Sequence, residues 1–153
     1  MDWVHILHQA FFGGIAAAGF GVLFNIGLRS VAWYAASGAL ALAVRTLAQG
    51  YGWSLETASF AAATAVGCAM LLLPVRVSMV RNELAVAGCI PLIPGSFAAK
   101  AILGFFALTT APQQIAGNLL LISVENALRV VFTIGAIGTG LALTTLIHPD
   151  PEG

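Results

Sequence analysis

The stretch LAVAGCIPLIPGSFAAKAILGFFALTTA, residues 84–111, is long and apolar enough to cross a membrane, yet it carries its own interruption. A helix needs about 20 largely apolar residues to span the hydrocarbon core. Pro91, Pro94 and Gly95 fall in the first half of the stretch, where each proline removes a backbone donor and clashes with the preceding turn. In lipid the freed carbonyl groups would need other partners. The stretch therefore predicts a membrane helix that is broken near its middle.

The rest of the chain shares this apolar character. Hydrophobic residues make up 59% of the 153 residues, and only 8% are charged. A soluble domain carries roughly 25% charged residues, so lipid is the natural solvent for most of this surface. The net charge is zero. Since the few Lys and Arg residues are scattered, they form no footprint for phosphate groups, and nucleic acid is not expected as a partner.

Charged and turn-forming residues divide the chain into five hydrophobic segments, the fourth of them broken. The segments are residues 6–24, 31–49, 55–73, 84–111 and 119–147. They are too long and too uniformly apolar for half-buried strands, and helices satisfy the backbone in lipid. We predict an all-α, polytopic membrane helix bundle that forms a single integral membrane domain over residues 1–153. Asn25 and Asn118 are expected to close turns, the second of them in a connection at 111–118.

Small residues recur at four-residue spacing on the first three segments. These stripes are Gly13, Ala17 and Gly21; Ala35, Ala39 and Ala43; and Ala61, Ala65 and Ala69. Such stripes let helix backbones approach closely, although the abundance of alanine alone produces the same pattern. The pattern predicts a compact bundle or a face for another subunit, and a homo-oligomer stays open.

Four ionisable side chains fall within or close to the apolar segments: Arg45, Lys100, Glu125 and Arg129. A charge at the centre of a span costs roughly 2.5–3.5 kcal/mol, so such groups usually face a partner or a water-filled cavity. Glu125 and Arg129 are spaced i, i+4 and share a helix face. They form a local ion pair or snorkel to the interface. Alternatively, Glu125 carries a proton or cation and Arg129 tunes it or holds a carboxylate, with Arg45 as a third candidate for coupling or ion pairing.

The residues around the interruption predict a binding site. A helix that begins at Ser96 would present free N–H groups and the positive end of its dipole, and Ser96 is suited to cap it. Lys100, one turn later, adds a full positive charge. With Pro91, Pro94 and Gly95, these residues predict a substrate site for a carboxylate or another anion. The alternatives are a proline kink or a tight interfacial turn, with Lys100 snorkelling.

No catalytic, metal or cofactor site is expected. His5, His8 and His148 lack a metal-ligand constellation. Cys68 and Cys89 lie in apolar stretches and are interpreted as small buried hydrophobic residues. No nucleophile with its base, phosphate loop or dinucleotide fingerprint is visible, so enzyme chemistry is not expected.

Three stretches resemble the threonine/serine exporter family of bacterial transporters. Residues 19–45 are similar to the start of the family's small subunit. The matching positions there are Phe24-Asn25, Arg29, Gly38-Ala39 and Arg45. The segment CIPLIPGS, residues 89–96, looks like the family's P-x-x-P-G element. Residues 125–143 resemble its last span, with Asn126 and a glycine-rich run.

The resemblance implies the small membrane subunit of a two-component secondary exporter in the bacterial plasma (inner) membrane. Members of the family are associated with proton-motive-force-driven export of threonine and serine, and split forms with export of dicarboxylates such as succinate. The implied partners are a larger membrane subunit of the same family, the small solute and the lipid bilayer. The alternative is a non-transporting membrane scaffold that stabilises the larger partner.

Overall fold

A computed structural model describes residues 3–24, 30–71 and 81–147, and all regular structure in these ranges is helical. The predicted all-α membrane bundle is confirmed. The helices are α1 (Trp3–Leu23), α2 (Val31–Gly50), α3 (Leu55–Leu71), α4 (Arg81–Cys89), a 3₁₀ helix (Ile90–Leu92), α5 (Gly95–Leu108) and α6 (Gln113–Ile147).

Three of these helices, α1, α2 and α6, are long and apolar enough to cross a membrane. The helices on either side of the interruption add a fourth crossing if together they form one broken span. Helix α3 is also apolar but has 17 residues, the lower end of the range for a span. The end of the third predicted segment, residues 72–73, lies outside the described ranges.

The predicted turn at 111–118 is wrong in its second half. Helix α6 already begins at Gln113, so Asn118 is an exposed helical residue, and residues 109–112 make the connection. The carbonyl of Pro112 accepts hydrogen bonds from the N–H groups of Ile115 and Ala116. A proline loses nothing at a helix start, since its missing N–H would have had no partner there. Asn25 lies outside the described residues.

The chain forms two compact units. The first contains the described residues up to Leu92 together with residues 136–147, and the second contains residues 93–135. Helix α6 contributes to both. The prediction of a single integral membrane domain for the whole chain stays a prediction.

The first unit is held by a buried apolar cluster from α2, α3, α4, the 3₁₀ helix and the last part of α6. Tyr34, Val66, Leu84 and Leu92 are its largest fully buried side chains. At α3 and α6 the backbones come close: a Cβ added to Gly140 would lie 2.8 Å from the Phe60 carbonyl oxygen. Glycine is needed there because no side chain fits.

Helices α1 and α2 pack through the first predicted stripe of small residues. Gly13, Ala17 and Gly21 are all buried. A Cβ on Gly13 would lie 2.7 Å from the Gly38 carbonyl oxygen, and one on Gly38 would overlap the Cβ of Ala17. The two helices therefore touch backbone to backbone, as small residues allow.

The third predicted stripe is displaced by one residue. Ala61, Ala65 and Ala69 are half-buried, whereas α3 turns Ala58, Ala62, Val66 and Met70 into the core. On a helix that is apolar all round, no contrast between polar and apolar faces identifies the packed side. The alanine spacing by itself therefore did not locate the interface.

Candidate functional site

The helix interruption predicted between Pro91 and Gly95 is present. Helix α4 ends in the 3₁₀ helix Ile90–Leu92, and α5 begins at Gly95. Pro94 has φ −81° and ψ 70°, and the N–H of Gly95 donates to the carbonyl of Ile93 at 2.9 Å. This is an inverse γ-turn, a tight reversal of only three residues. The chain thus breaks its helix with a compact turn.

The start of α5 differs from the prediction, because Ser96 does not cap it. Pro94 occupies the capping position and has no side-chain acceptor, while Ser96 is an exposed residue inside the first turn. The N–H groups of Phe97 and Ala98 both donate to the Pro94 carbonyl, and that of Gly95 is already bonded to Ile93. Three of the first four N–H groups of α5 thus have acceptors within the turn. The start of α5 therefore has fewer free N–H groups for an anion than the sequence predicted.

Arg45 lies at the interruption. Its Nη1 atom donates a hydrogen bond of 2.8 Å to the carbonyl oxygen of Leu92, the last residue of the 3₁₀ helix. The Arg45 side chain is half-buried and Leu92 is fully buried. A guanidinium from α2 therefore satisfies a carbonyl group at the point where the helical ladder stops.

In the second unit two cationic side chains approach one aromatic ring. Lys100 Nζ lies 5.7 Å from the centroid of the Phe97 ring, and the guanidinium carbon of Arg129 lies 5.6 Å from the same centroid. Both distances are typical of cation–π contacts. We call Phe97, Lys100, Glu125 and Arg129 the cation cluster; with two cations and one carboxylate, it carries a net positive charge.

Within this cluster the predicted local ion pair is present. Arg129 Nη2 lies 3.3 Å from Glu125 Oε1, one helical turn away on α6. The Glu125 side chain is 67% exposed and that of Arg129 is 43% exposed. The pair is thus open to a ligand or a partner instead of being sealed in a core.

Close packing between α5 and α6 positions the cluster. A Cβ added to Gly104 would overlap the hydroxyl of Ser123, and both residues are buried. Ser123 Oγ donates to the Leu119 carbonyl on its own helix at 2.6 Å. The sequence interpretation missed Phe97, Gly104 and Ser123. Phe97 had a signal, since it precedes Lys100 by three residues and shares its helix face.

The structure adds two contacts to the predicted site residues. Lys100, predicted with the interruption, approaches the same Phe97 ring as Arg129, and Arg45, predicted with the ion pair, donates to the Leu92 carbonyl at the interruption. Pro91 is half-buried and Pro94 is buried. Gly95 is exposed, and a Cβ added there would meet no atom within 4 Å. Their role in binding stays a prediction.

The cysteine interpretation is half right. Cys89 is buried on α4, but Cys68 is exposed on α3, because that position faces away from the packed side of the helix. Among the described residues, no three His, Cys, Asp or Glu side chains come together as metal ligands. His148 lies outside the described residues.

The apolar helices and the ionisable groups along them define a multi-pass membrane protein. The family model described as "Threonine/Serine exporter, ThrE" matches residues 9–147 of the chain. Since this match covers most of the sequence, the protein belongs to the threonine/serine exporter family, as the sequence resemblance indicated. It is accordingly of the exporter type of transporter. No solved structure matches the chain.

Proposed function

We propose that the protein is the small subunit of a two-component secondary exporter in the bacterial inner membrane. It moves a small carboxylate-bearing solute out of the cell and is coupled to protons. Membership of the threonine/serine exporter family supports the transport function. The observation that carries the choice of solute is the cation cluster on α5 and α6.

The chemical groups of the cluster match those of an amino acid. Lys100 and Arg129 provide N–H donors and positive charge for a carboxylate, and a guanidinium can bind both carboxylate oxygens at once. The Glu125 carboxylate accepts hydrogen bonds from an ammonium group. A zwitterion such as threonine or serine therefore finds a partner for each of its charges. A dicarboxylate such as succinate brings its second negative charge close to Glu125, so it fits less well while Glu125 is ionised.

Glu125 is the candidate for proton coupling. Its contact with Arg129 is the one salt bridge found among the described residues, and both side chains are partly exposed. When Glu125 takes up a proton it loses its charge, the attraction to Arg129 weakens, and the ammonium group of a bound solute loses its counter-ion. Proton binding at Glu125 would thus favour release of an amino acid and link the two movements.

The proposal is tested by removing the two cations. Lys100→Gln and Arg129→Gln are each expressed together with the larger subunit in cells that lack their own copies of both. We expect threonine and serine efflux to fall at least about tenfold, the effect of losing one charge-assisted hydrogen bond of roughly 1.5–3 kcal/mol. Intracellular threonine should rise under load with a threonine-containing dipeptide.

Glu83→Gln provides the control, because it neutralises an exposed charge in the first turn of α4, outside the cluster. It should leave efflux unchanged, and all three variants should reach the membrane in equal amounts. Full efflux by both cluster variants would overturn the proposal.

A second candidate function is a non-transporting scaffold for the larger subunit. An open apolar groove of about 720 Å³ between α1 and α2 favours it, since such a surface suits a helix of another subunit. Leu7, Phe11 and Ile15 contribute its large side chains. If transport survives neutral substitutions at Lys100, Glu125 and Arg45 but requires the presence of this chain, the scaffold function is supported.

A further inference from the structure

The hydrogen bond between Arg45 and Leu92 joins residues 47 positions apart in the chain. In a continuous α-helix the Leu92 carbonyl would accept the N–H of Ser96, four residues later. Here the 3₁₀ helix ends at Leu92, and residues 93 and 94 separate it from α5. The interruption therefore removes the regular donor of this carbonyl, and Arg45 Nη1 supplies another at 2.8 Å.

The Leu92 carbonyl needs a replacement for its backbone donor, and the Arg45 guanidinium is chemically suited to be one. Leu92 is fully buried, so water cannot readily replace a lost donor. A carbonyl group without a partner is especially costly in a membrane. The N–H of Gly95, which would reach the Leu92 carbonyl in a continued 3₁₀ helix, donates to the Ile93 carbonyl instead. Arginine keeps its charge and carries five N–H donors, which makes it a reliable donor in this setting.

We propose that Arg45 is the positioning residue of the interruption: its guanidinium replaces the backbone donor of the Leu92 carbonyl and thereby fixes where α5 begins. This role differs from ion pairing and from coupling. It concerns the backbone at residues 90–98, so it holds whether or not the chain is an exporter. A dependence of transport on this positioning role rests, in addition, on the proposed function.

Hydrogen exchange provides the test, because the chain contains two matched helix starts. At the start of α5 the Pro94 carbonyl accepts N–H groups from Phe97 and Ala98, and at the start of α6 the Pro112 carbonyl accepts those of Ile115 and Ala116. Only the start of α5 lies next to a residue, Leu92, whose carbonyl accepts a hydrogen bond from Arg45. Amide exchange is measured by mass spectrometry on the full chain in lipid nanodiscs, for the parent, Arg45→Met and Arg45→Lys.

We expect Arg45→Met to accelerate exchange in the peptide covering residues 93–98 about tenfold, the effect of one lost hydrogen bond on local opening. Arg45→Lys keeps a cationic donor, so its exchange rate in this peptide should lie between those of Arg45→Met and the parent. The peptide covering residues 112–116 should not change. If Arg45→Met does not accumulate in the membrane, the difference between Arg45→Lys and the parent at residues 93–98 decides the question.

Unchanged exchange at residues 93–98 in Arg45→Met overturns the proposal, as it does in Arg45→Lys if Arg45→Met does not accumulate. Equal acceleration at the starts of α5 and α6 also overturns it, because that result would indicate general destabilisation. Threonine efflux is measured in parallel. If the parent chain with its larger subunit exports nothing, the proposed function fails while the exchange result stands. If export is normal and exchange is unchanged, the positioning role alone is wrong.

Discussion

At the scale of single residues, the charges of the cation cluster are the basis of the proposed preference for amino acids. Lys100 and Arg129 approach the same Phe97 ring, and Glu125 pairs with Arg129 at 3.3 Å. In the proposed site, the Glu125 carboxylate would attract the ammonium group of an amino acid. It would repel the second carboxylate of a dicarboxylate. Specificity of this kind depends on a repulsive as well as an attractive group.

Glu125→Gln should therefore shift the preference of the exporter from amino acids toward dicarboxylates. The glutamine amide keeps the size of the side chain but removes the negative charge. We expect the ratio of threonine to succinate efflux to fall about tenfold, since a lost charged hydrogen bond costs roughly 1.5–3 kcal/mol. Efflux of both labelled solutes is measured from the same preloaded, right-side-out vesicles.

Glu83→Gln serves again as the control, because its charge lies outside the cluster. An unchanged ratio in Glu125→Gln would mean that Glu125 does not face the solute. Loss of pH-dependence in the same variant would support its role in coupling independently of selectivity.

At the scale of helices, backbone contact between α1 and α2 organises the start of the first unit. A Cβ on Gly13 would lie 2.7 Å from the Gly38 carbonyl oxygen and 2.8 Å from the Leu42 side chain. Such a contact has no room for a side chain, so glycine is required by packing and not by backbone conformation. The same helix carries Gly19, where an added Cβ meets nothing within 4 Å.

Gly13→Leu should therefore destabilise the protein while Gly19→Leu should not. Forcing a larger side chain into a packed interface typically costs about 1–3 kcal/mol or more. The midpoint of thermal unfolding in detergent, followed by fluorescence-detected size exclusion, should fall in the first variant and stay unchanged in the second. Both substitutions replace a helical glycine in α1 by leucine, so the difference between them reports packing. Equal midpoints would contradict the α1–α2 interface.

At the scale of the whole molecule, the exposed surface of the helices is strongly apolar. In the second unit, Phe106 and Leu121 are each 70% exposed and Phe132 is 62% exposed. Lipid can cover such side chains, but the cation cluster among the same helices needs water or polar groups. In the proposed two-component exporter, a larger subunit packed on α5 and α6 would cover the apolar side chains and supply polar groups to the cluster.

We predict that this chain exports nothing by itself. Proteoliposomes that contain only this chain should show threonine efflux no faster than empty liposomes, whereas co-reconstitution with the larger subunit should restore it. Affinity purification from mild detergent should recover both subunits. Threonine efflux from liposomes that contain this chain alone would contradict the two-component assignment and leave the family membership intact.

Several features could be predicted from the sequence because they depend on local chemistry. The excess of apolar residues determined a helical membrane bundle, since lipid leaves the backbone few other ways to satisfy its hydrogen bonds. Pro91 and Pro94 determined the interruption through their missing N–H groups. The four-residue spacing of Glu125 and Arg129 determined their ion pair. Each of these needs only composition or neighbouring residues.

Other features were decided by the tertiary structure. The fold brings Arg45 to the Leu92 carbonyl and Lys100 to the Phe97 ring, two contacts that the sequence did not predict. It also brought Phe97 on α5 to Arg129 on α6. These pairings depend on which faces of the helices meet, and helices that are apolar all round carry no polarity contrast to mark those faces. Close backbone approach at small residues set these faces; the spacing of small residues marked that approach on α1 but not on α3.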